Sequence, residues 1–219
     1  MSLSLTQIDN YISSLLENAE CLIAEACVLF DVNAYARAHT LAHIAREELS
    51  KCMILYSAGR RIQGGDEVDW KRTMQRLRDH KSKIRQETVK NAIIALGMGD
   101  EKLSKTMINN VDAFASVRNY HKNSSIYVGL DESGEISIPS NVISSEKAQR
   151  TIDLAKIALK DEKKINEKLG NLSDNEPGSL SSVPTIKDID PEQFEDFIKD
   201  MGALYREALD KLHEDESNN

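Results

Sequence analysis

The sequence predicts an all-α protein: an antiparallel bundle of long helices with a small β-hairpin or extended insertion and a C-terminal helix. Three observations lead there. Apolar residues recur at three- and four-residue steps through most of the 219 residues, the spacing that lines one face of an α-helix. Only 5% of residues are aromatic and 29% are charged, with many Ala, Leu, Ile, Glu and Lys, a composition of helix formers. Turn residues gather at a few short breaks, Asp31-Val32-Asn33, Gly64-Gly65-Asp66, Gly97-Met98-Gly99-Asp100 and Gly170, which cut the pattern into helix-length pieces.

The first helix is expected to start near Thr6 and Asp9, with Ile8, Ile12, Leu15, Leu16, Ala19, Leu22, Ile23, Ala26, Cys27 and Phe30 inward. The turn after it is short, so the second helix, about 33 to 58, folds back antiparallel. A third helix, strongly basic, is expected from about Asp69 to Leu96. A fourth runs from about Glu101 to Lys122, with Leu103, Met107, Val111, Phe114 and Val117 inward. Ile126-Tyr127-Val128, the turn at Asp131–Gly134, and Ile136 and Ile138 alternating before Pro139 predict the hairpin. Ser144 or Ser145 caps a fifth helix, about Glu146 to Leu169, with Ile152, Ala155, Ile157, Leu159 and Ile165 on its apolar side.

The chain therefore divides into a bundle over residues 1–170, a linker over 171–189, an amphipathic helix over 190–213 and a disordered tail over 214–219. Asp190-Pro191 starts the last helix, which is striped with Phe194, Phe197, Ile198, Met201, Leu204, Tyr205, Leu209 and Leu212. That stripe is too apolar to stay in water, so this helix should dock on the bundle or on a second chain.

Composition bounds the function. The formal charge of −8 argues against indiscriminate attraction to nucleic acid. No apolar run approaches the roughly 18 residues that span a bilayer. The start MSLSLTQIDNY lacks a basic segment and a cleavage site, so a cytoplasmic protein without a membrane partner is expected. Cys21, Cys27 and Cys52 are odd in number, sit inside helical patterns and lack paired spacing, which suits free buried thiols and no structural zinc.

Ala38–Leu55, on the second helix, combines a small-residue apolar face with His39, His43 and Glu47 at four-residue steps; Glu48 lies beside them. Glu47 and Lys51 have the spacing and order of a helical ion pair. Such a helix packs closely on its neighbours, and either solvates its charges or lines a polar cleft. His39, His43, Glu47 or Glu48, and His80 form the one set with metal-ligand character. The bundle di-iron pattern needs Glu-x-x-His pairs from two helices, and none is present, so no metal and no cofactor are expected.

Two further groups could carry chemistry. Arg118 and His121 close the fourth helix: the His could move a ribose proton near neutrality and the Arg could hold a phosphate, the needs of metal-free RNA cleavage. The same residues also suit plain C-terminal charge on a helix. Lys71, Arg72, Arg76 and Lys81 of the basic helix could follow an RNA backbone, or pair with acidic groups of this chain.

Several of these pieces together resemble the AbiV family of bacterial abortive-infection proteins, within the HEPN superfamily of helical bundles. AREELSKCMIL looks like the family's EELxK helix, placing its marked positions on Glu47, Glu48, Leu49 and Lys51. DHKSK is similar to a His-x-x-Lys pattern on His80 and Lys83. SSIYVGLDESGEISIPSNVISSEKA resembles the LYVD-type segment, through Tyr127, Val128, Gly134, Pro139 and Ala148. Val128-Gly129 departs from it where an acid would follow Val. The resemblance covers about residues 10 to 165 and leaves out the C-terminal helix.

The resemblance implies a HEPN-like fold and phage defence by blocking translation or phage propagation. It also implies a homodimer and, in many relatives, metal-independent RNA cleavage. The relatives' hallmark is an Arg, often followed by a polar residue, with four to six residues between the Arg and a His. Arg118-Asn119 matches the start, but His121 comes after only two residues, and Asn123, Ser124 and Ser125 occupy the usual His positions. Two readings follow: a ribonuclease using Arg118 and His121, or a non-catalytic protein that binds a phage or host protein around Glu47, Glu48, Lys51, His80, Lys83 and Tyr127.

Overall fold

A computed structural model describes residues 2–97, 99–130 and 133–174, with nothing described of the Lys168 side chain. The C-terminal helix and tail expected over 190–219 lie outside the described residues. Within them the architecture is the expected all-α bundle with a two-stranded hairpin.

Helix α1 (Leu5–Asp31) begins two residues earlier than a cap at Thr6 would place it. Ser4 caps it, its hydroxyl accepting from the Gln7 backbone N–H while Gln7 Oε1 accepts from Ser4 N, a reciprocal capping box. Asn33 adopts a positive φ of 61°, a conformation Asn tolerates, and reverses the chain into α2 (Tyr35–Gln63). α1 and α2 form the antiparallel hairpin, and Ile8, Ile12, Leu15, Ala19 and Ile23 interlock with Ala38, Ala42, Ala45, Leu49, Cys52 and Leu55. The fully buried alanines let the two backbones approach closely, and each buried Leu or Ile contributes about 1.5–3 kcal/mol.

The single basic helix expected over 69–96 is two helices, α3 (Trp70–Arg78) and α4 (His80–Gly97). Asp79 is extended (ψ 121°) between them, and its carboxylate accepts from both the backbone N–H and the hydroxyl of Ser82. A side chain that caps the next helix ends the previous one, and no apolar period records that. The helix expected over 101–122 is likewise broken, into α5 (Glu101–Asn109) and α6 (Val111–Ser124). Asn110 joins them, its side-chain amide donating to the Thr106 carbonyl.

This second break overturns the inward face assigned there. Leu103, Phe114 and Val117 are exposed, whereas Ser104, Ala115 and Lys122 are buried and Arg118 is half-buried. β1 (Gly129–Leu130) pairs antiparallel with β2 (Ile136–Ser137) in an exposed hairpin. A short α7 (Pro139–Val142), which the sequence reading lacked, leads to α8 (Ser145–Leu169), capped by Ser144 through the Lys147 N–H. α8 lays Ile152 and Ala155 on α1 and α2, but Ile157 faces solvent. Of the cysteines only Cys52 is buried; Cys21 is exposed and Cys27 intermediate, so the expectation of three buried thiols fails.

The stretch after Gly170 begins with a tightly docked turn, a 3-10 helix at Leu172–Asp174. Asp9, expected to start α1, instead accepts from the Leu172 and Ser173 N–H groups, and Gln63 Nε2 donates to the Leu172 carbonyl at 2.6 Å. A Cβ at Gly59 would lie 2.5 Å from Leu172 Cδ1, so a side chain at residue 59 would have to displace Leu172.

Candidate functional site

The side of α2 that turns away from α1 is polar and buried. Its centre is Glu47, 2% exposed. Oε2 is 2.6 Å from His80 Nδ1 and 2.7 Å from Lys83 Nζ, both on α4. Oε1 faces His43 Nε2 at 3.3 Å, one turn back on α2, and Lys122 Nζ of α6 at 3.9 Å. Burial alone would raise this carboxyl's pKa, but His43, Lys83 and His80 together hold it well below the usual carboxylate range.

A second buried carboxylate continues the network. Glu87 of α4 accepts from Arg46 of α2 (Nε 2.7 Å, Nη2 2.6 Å) through Oε1 and from Arg118 of α6 (2.7 Å) through Oε2. Burial works against its charge, but the Arg118 and Arg46 guanidiniums outweigh it and keep its pKa near about 2. Two carboxylates thus answer two guanidinium and two ammonium groups, so the seam between α2, α4 and α6 carries an excess of positive charge even with neutral histidines.

His39 and His43 are neutral for a physical reason. Burial, with His43 and Lys147 nearby, pushes His39 down to about 4, and burial lowers His43 as well. The Thr151 hydroxyl donates to the Lys147 carbonyl, so at 2.9 Å it accepts from His39 Nδ1–H. His39 Nε2, His43 Nε2, Glu47 Oε1 and Arg118 Nε are buried without a well-aligned hydrogen-bond partner. Thr40 and Ser125, 2.7 Å apart, tie α2 to the end of α6 beside this seam.

Of the residues singled out in the sequence, Glu47, His80 and Lys83 meet directly, and Arg118 reaches the same seam through Glu87. Glu48 and Lys51 do not. They pair with each other at 2.6 Å, and Glu48 accepts a long contact from Asn18 of α1. The Glu47–Lys51 pair expected from spacing is therefore replaced, because Glu47 points to α4 and α6 while Lys51 lies on the other flank. Tyr127, 65% exposed, stands outside the seam. Lys71, Arg72 and Lys81 are exposed on α3 and the start of α4; Arg76 is partly buried and donates to Gln86 at 2.7 Å.

Arg118 and His121 share α6 but serve different partners. Arg118 is held by Glu87, and His121 Nδ1 is 3.0 Å from Lys147 Nζ of α8. Burial and then the Lys147 charge lower the His121 pKa, so the ring is neutral near pH 7. An ammonium donates, so Nδ1 accepts and the ring proton sits on Nε2. His121 then has no outward lone pair to take a proton.

Among the described residues no group of three or more His, Cys, Asp or Glu side chains is placed to hold a metal ion. The sequence reading did not single out Arg46, Glu87, Lys122, Lys147 or Thr151. Lys83, Glu87 and Lys90 recur at steps of four and three, one stripe of alternating sign inside the bundle; that spacing was the available signal.

A family model described as AbiV, of the HEPN type, matches residues 7–160. The chain belongs to the AbiV family. The match runs from α1 into α8 and includes every residue of the carboxylate-centred seam. No curated protein and no solved structure matches the chain. Membership supports an abortive-infection role in phage defence for this AbiV chain. No helix among the described residues is long and apolar enough to cross a membrane.

Proposed function

We propose that this AbiV chain acts in phage defence as a non-cleaving interaction protein, binding a phage or host protein and so interfering with phage propagation or translation. The observation that carries this reading is the separate engagement of Arg118 by Glu87 and of His121 by Lys147. A ribonuclease needs a cation free to meet a phosphate and a ring nitrogen free to move a proton. Here Arg118 is held by Glu87, and the His121 nitrogen that carries the lone pair is taken by Lys147. The same segment instead turns Phe114, Val117, Tyr120, Tyr127, Val128 and Leu130 outward, a run of exposed apolar side chains that supports a protein contact.

A homodimer is part of the proposal. It would use a second surface, and Leu154 and Ile157, exposed on α8, favour one there. Light scattering of the chain and of Ile157→Asp tests it: a monomer in both would remove the dimer.

The interaction reading predicts that purified protein leaves RNA intact and that His121→Ala keeps its antiphage activity, while Val117→Asp/Tyr120→Asp loses activity and partner capture from infected cells. RNA cleavage abolished by His121→Ala would overturn it in favour of the nuclease.

A further inference from the structure

The chain's negative charge is not spread over the molecule. Residues 1–174 hold 24 acidic and 24 basic side chains, whereas residues 175–219 hold 12 acidic and 4 basic, the whole of the −8. The bundle is neutral overall, and its basic groups are unevenly placed. α3 carries Lys71, Arg72, Arg76 and Arg78 and no acid. Beside these cations lies an open groove of about 710 Å³ lined by Trp70, Lys71, Met74, Gln75, Arg78 and Asp79. Its floor is apolar and its rim basic. No ion pair among the described residues engages Lys71, Arg72 or Arg78.

We propose that the acidic amphipathic segment 190–213 of the same chain docks on this groove of α3. The complement is specific on two counts. At the helical spacing expected for this segment, Phe194, Phe197, Ile198 and Met201 would make two turns of apolar stripe, the length of α3, matching Trp70 and Met74. At the same helical spacing Glu195 and Asp200 flank that stripe and would meet Lys71 and Arg78 at the rim of the groove.

The point of departure agrees. The described chain ends at a turn that packs Leu172 against Gly59 and Gln63 at the end of α2, and α3 begins at Trp70, only seven residues beyond Gln63. Trp70, Met74 and Leu172 border the same core cluster. The 15 residues from 175 to 189 reach up to about 50 Å when extended, more than this short return requires.

Trp70 is the sole tryptophan, so its emission reports the groove directly in the full-length protein. Phe197→Asp should shift Trp70 emission to the red and increase its quenching by acrylamide. Lys71→Glu/Arg78→Glu should do the same, and adding Glu195→Lys/Asp200→Lys to that variant should restore the protection by exchanging the charges. Unchanged emission and quenching in Phe197→Asp would overturn the proposal. A Trp70 signal in the native protein that dilution converts to that of Phe197→Asp would also overturn it, because the segment would then come from a second copy.

Discussion

Glu47 and Glu48 are neighbours of identical chemistry on one helix, and the structure gives them opposite circumstances. Glu48 sits on the α1 flank with Lys51 as its partner, in a pair three residues apart along α2. Glu47 is buried on the other flank, where His43, His80, Lys83 and Lys122 converge from three helices. The difference extends to the two sides of α2. Toward α1 the contact is alanine against aliphatic side chains; toward α4 and α6 it is carboxylate against cation. What decides each residue's role is the helix lying opposite, not the residue's own type.

The sharpest way to break this comparison is to remove the central charge. Glu47→Gln leaves Lys83, Lys122 and His43 buried around a neutral amide, and breaking one side of a buried ion network costs about 3–5 kcal/mol. Glu87→Gln, which strands Arg46 and Arg118, should cost a similar amount. Urea unfolding monitored by circular dichroism measures both. A loss below about 1 kcal/mol would mean that the network is hydrated like a surface pair.

Acid should attack the polar flank first. For His39 the folded pKa, about 4, lies below the ordinary imidazole value of 6.5. The unfolded chain then binds the extra proton, so stability falls as pH drops from about 6.5 toward 4, by up to about 1.4 kcal/mol per pH unit. Glu87 adds a second loss at lower pH. Its folded value of about 2 lies below the ordinary carboxyl value of 4.5, so the stability it contributes is complete above 4.5 and disappears as pH falls toward 2. Melting temperatures between pH 7 and 4 test the first window. His39→Gln should flatten the fall, and an unaltered pH profile would exclude His39 as its source.

The apolar flank should respond to volume instead of charge. Ala42 is fully buried against α1, and Ala42→Leu forces in three carbons where the backbones approach closely, at about 1–3 kcal/mol. This loss should be the same at pH 7 and pH 5, which separates it from the histidine effect.

These two flanks also differ in how legible they were. The apolar side of α2 was written in its own spacing, since Ala38, Ala42, Ala45, Leu49 and Cys52 need only a greasy neighbour, and any aliphatic stripe supplies one. The polar side was half visible. His39, His43 and Glu47 marked a stripe, but their partners come from α4, α6 and α8, and side-chain spacing within one helix does not say which cation from another will reach it. The error at Glu47–Lys51 has that origin. The breaks at Asp79 and Asn110 were hidden for a related reason: each is made by one side chain bonding its own backbone neighbourhood, while the apolar period runs on through it. The exposed face of α6 follows from the second break together with the demand of Glu87 for Arg118, which turns the cationic side of α6 inward and Phe114 and Val117 outward.

The smallest effect is the most pointed control. Glu48→Gln removes the partner of Lys51, and both side chains retain some access to water. Lys51 can turn to solvent when its partner goes, so no buried charge is stranded, and the cost should be about 0.3–0.5 kcal/mol, the scale of pairs along one helix. Salt should reduce that difference, because both partners reach water and are screened more than buried ones, but should leave the Glu47→Gln loss largely intact. Measuring both variants at low and at 1 M salt therefore compares two adjacent glutamates under one perturbation. Equal costs, or equal salt dependence, would show that α2 does not have two electrostatically distinct flanks.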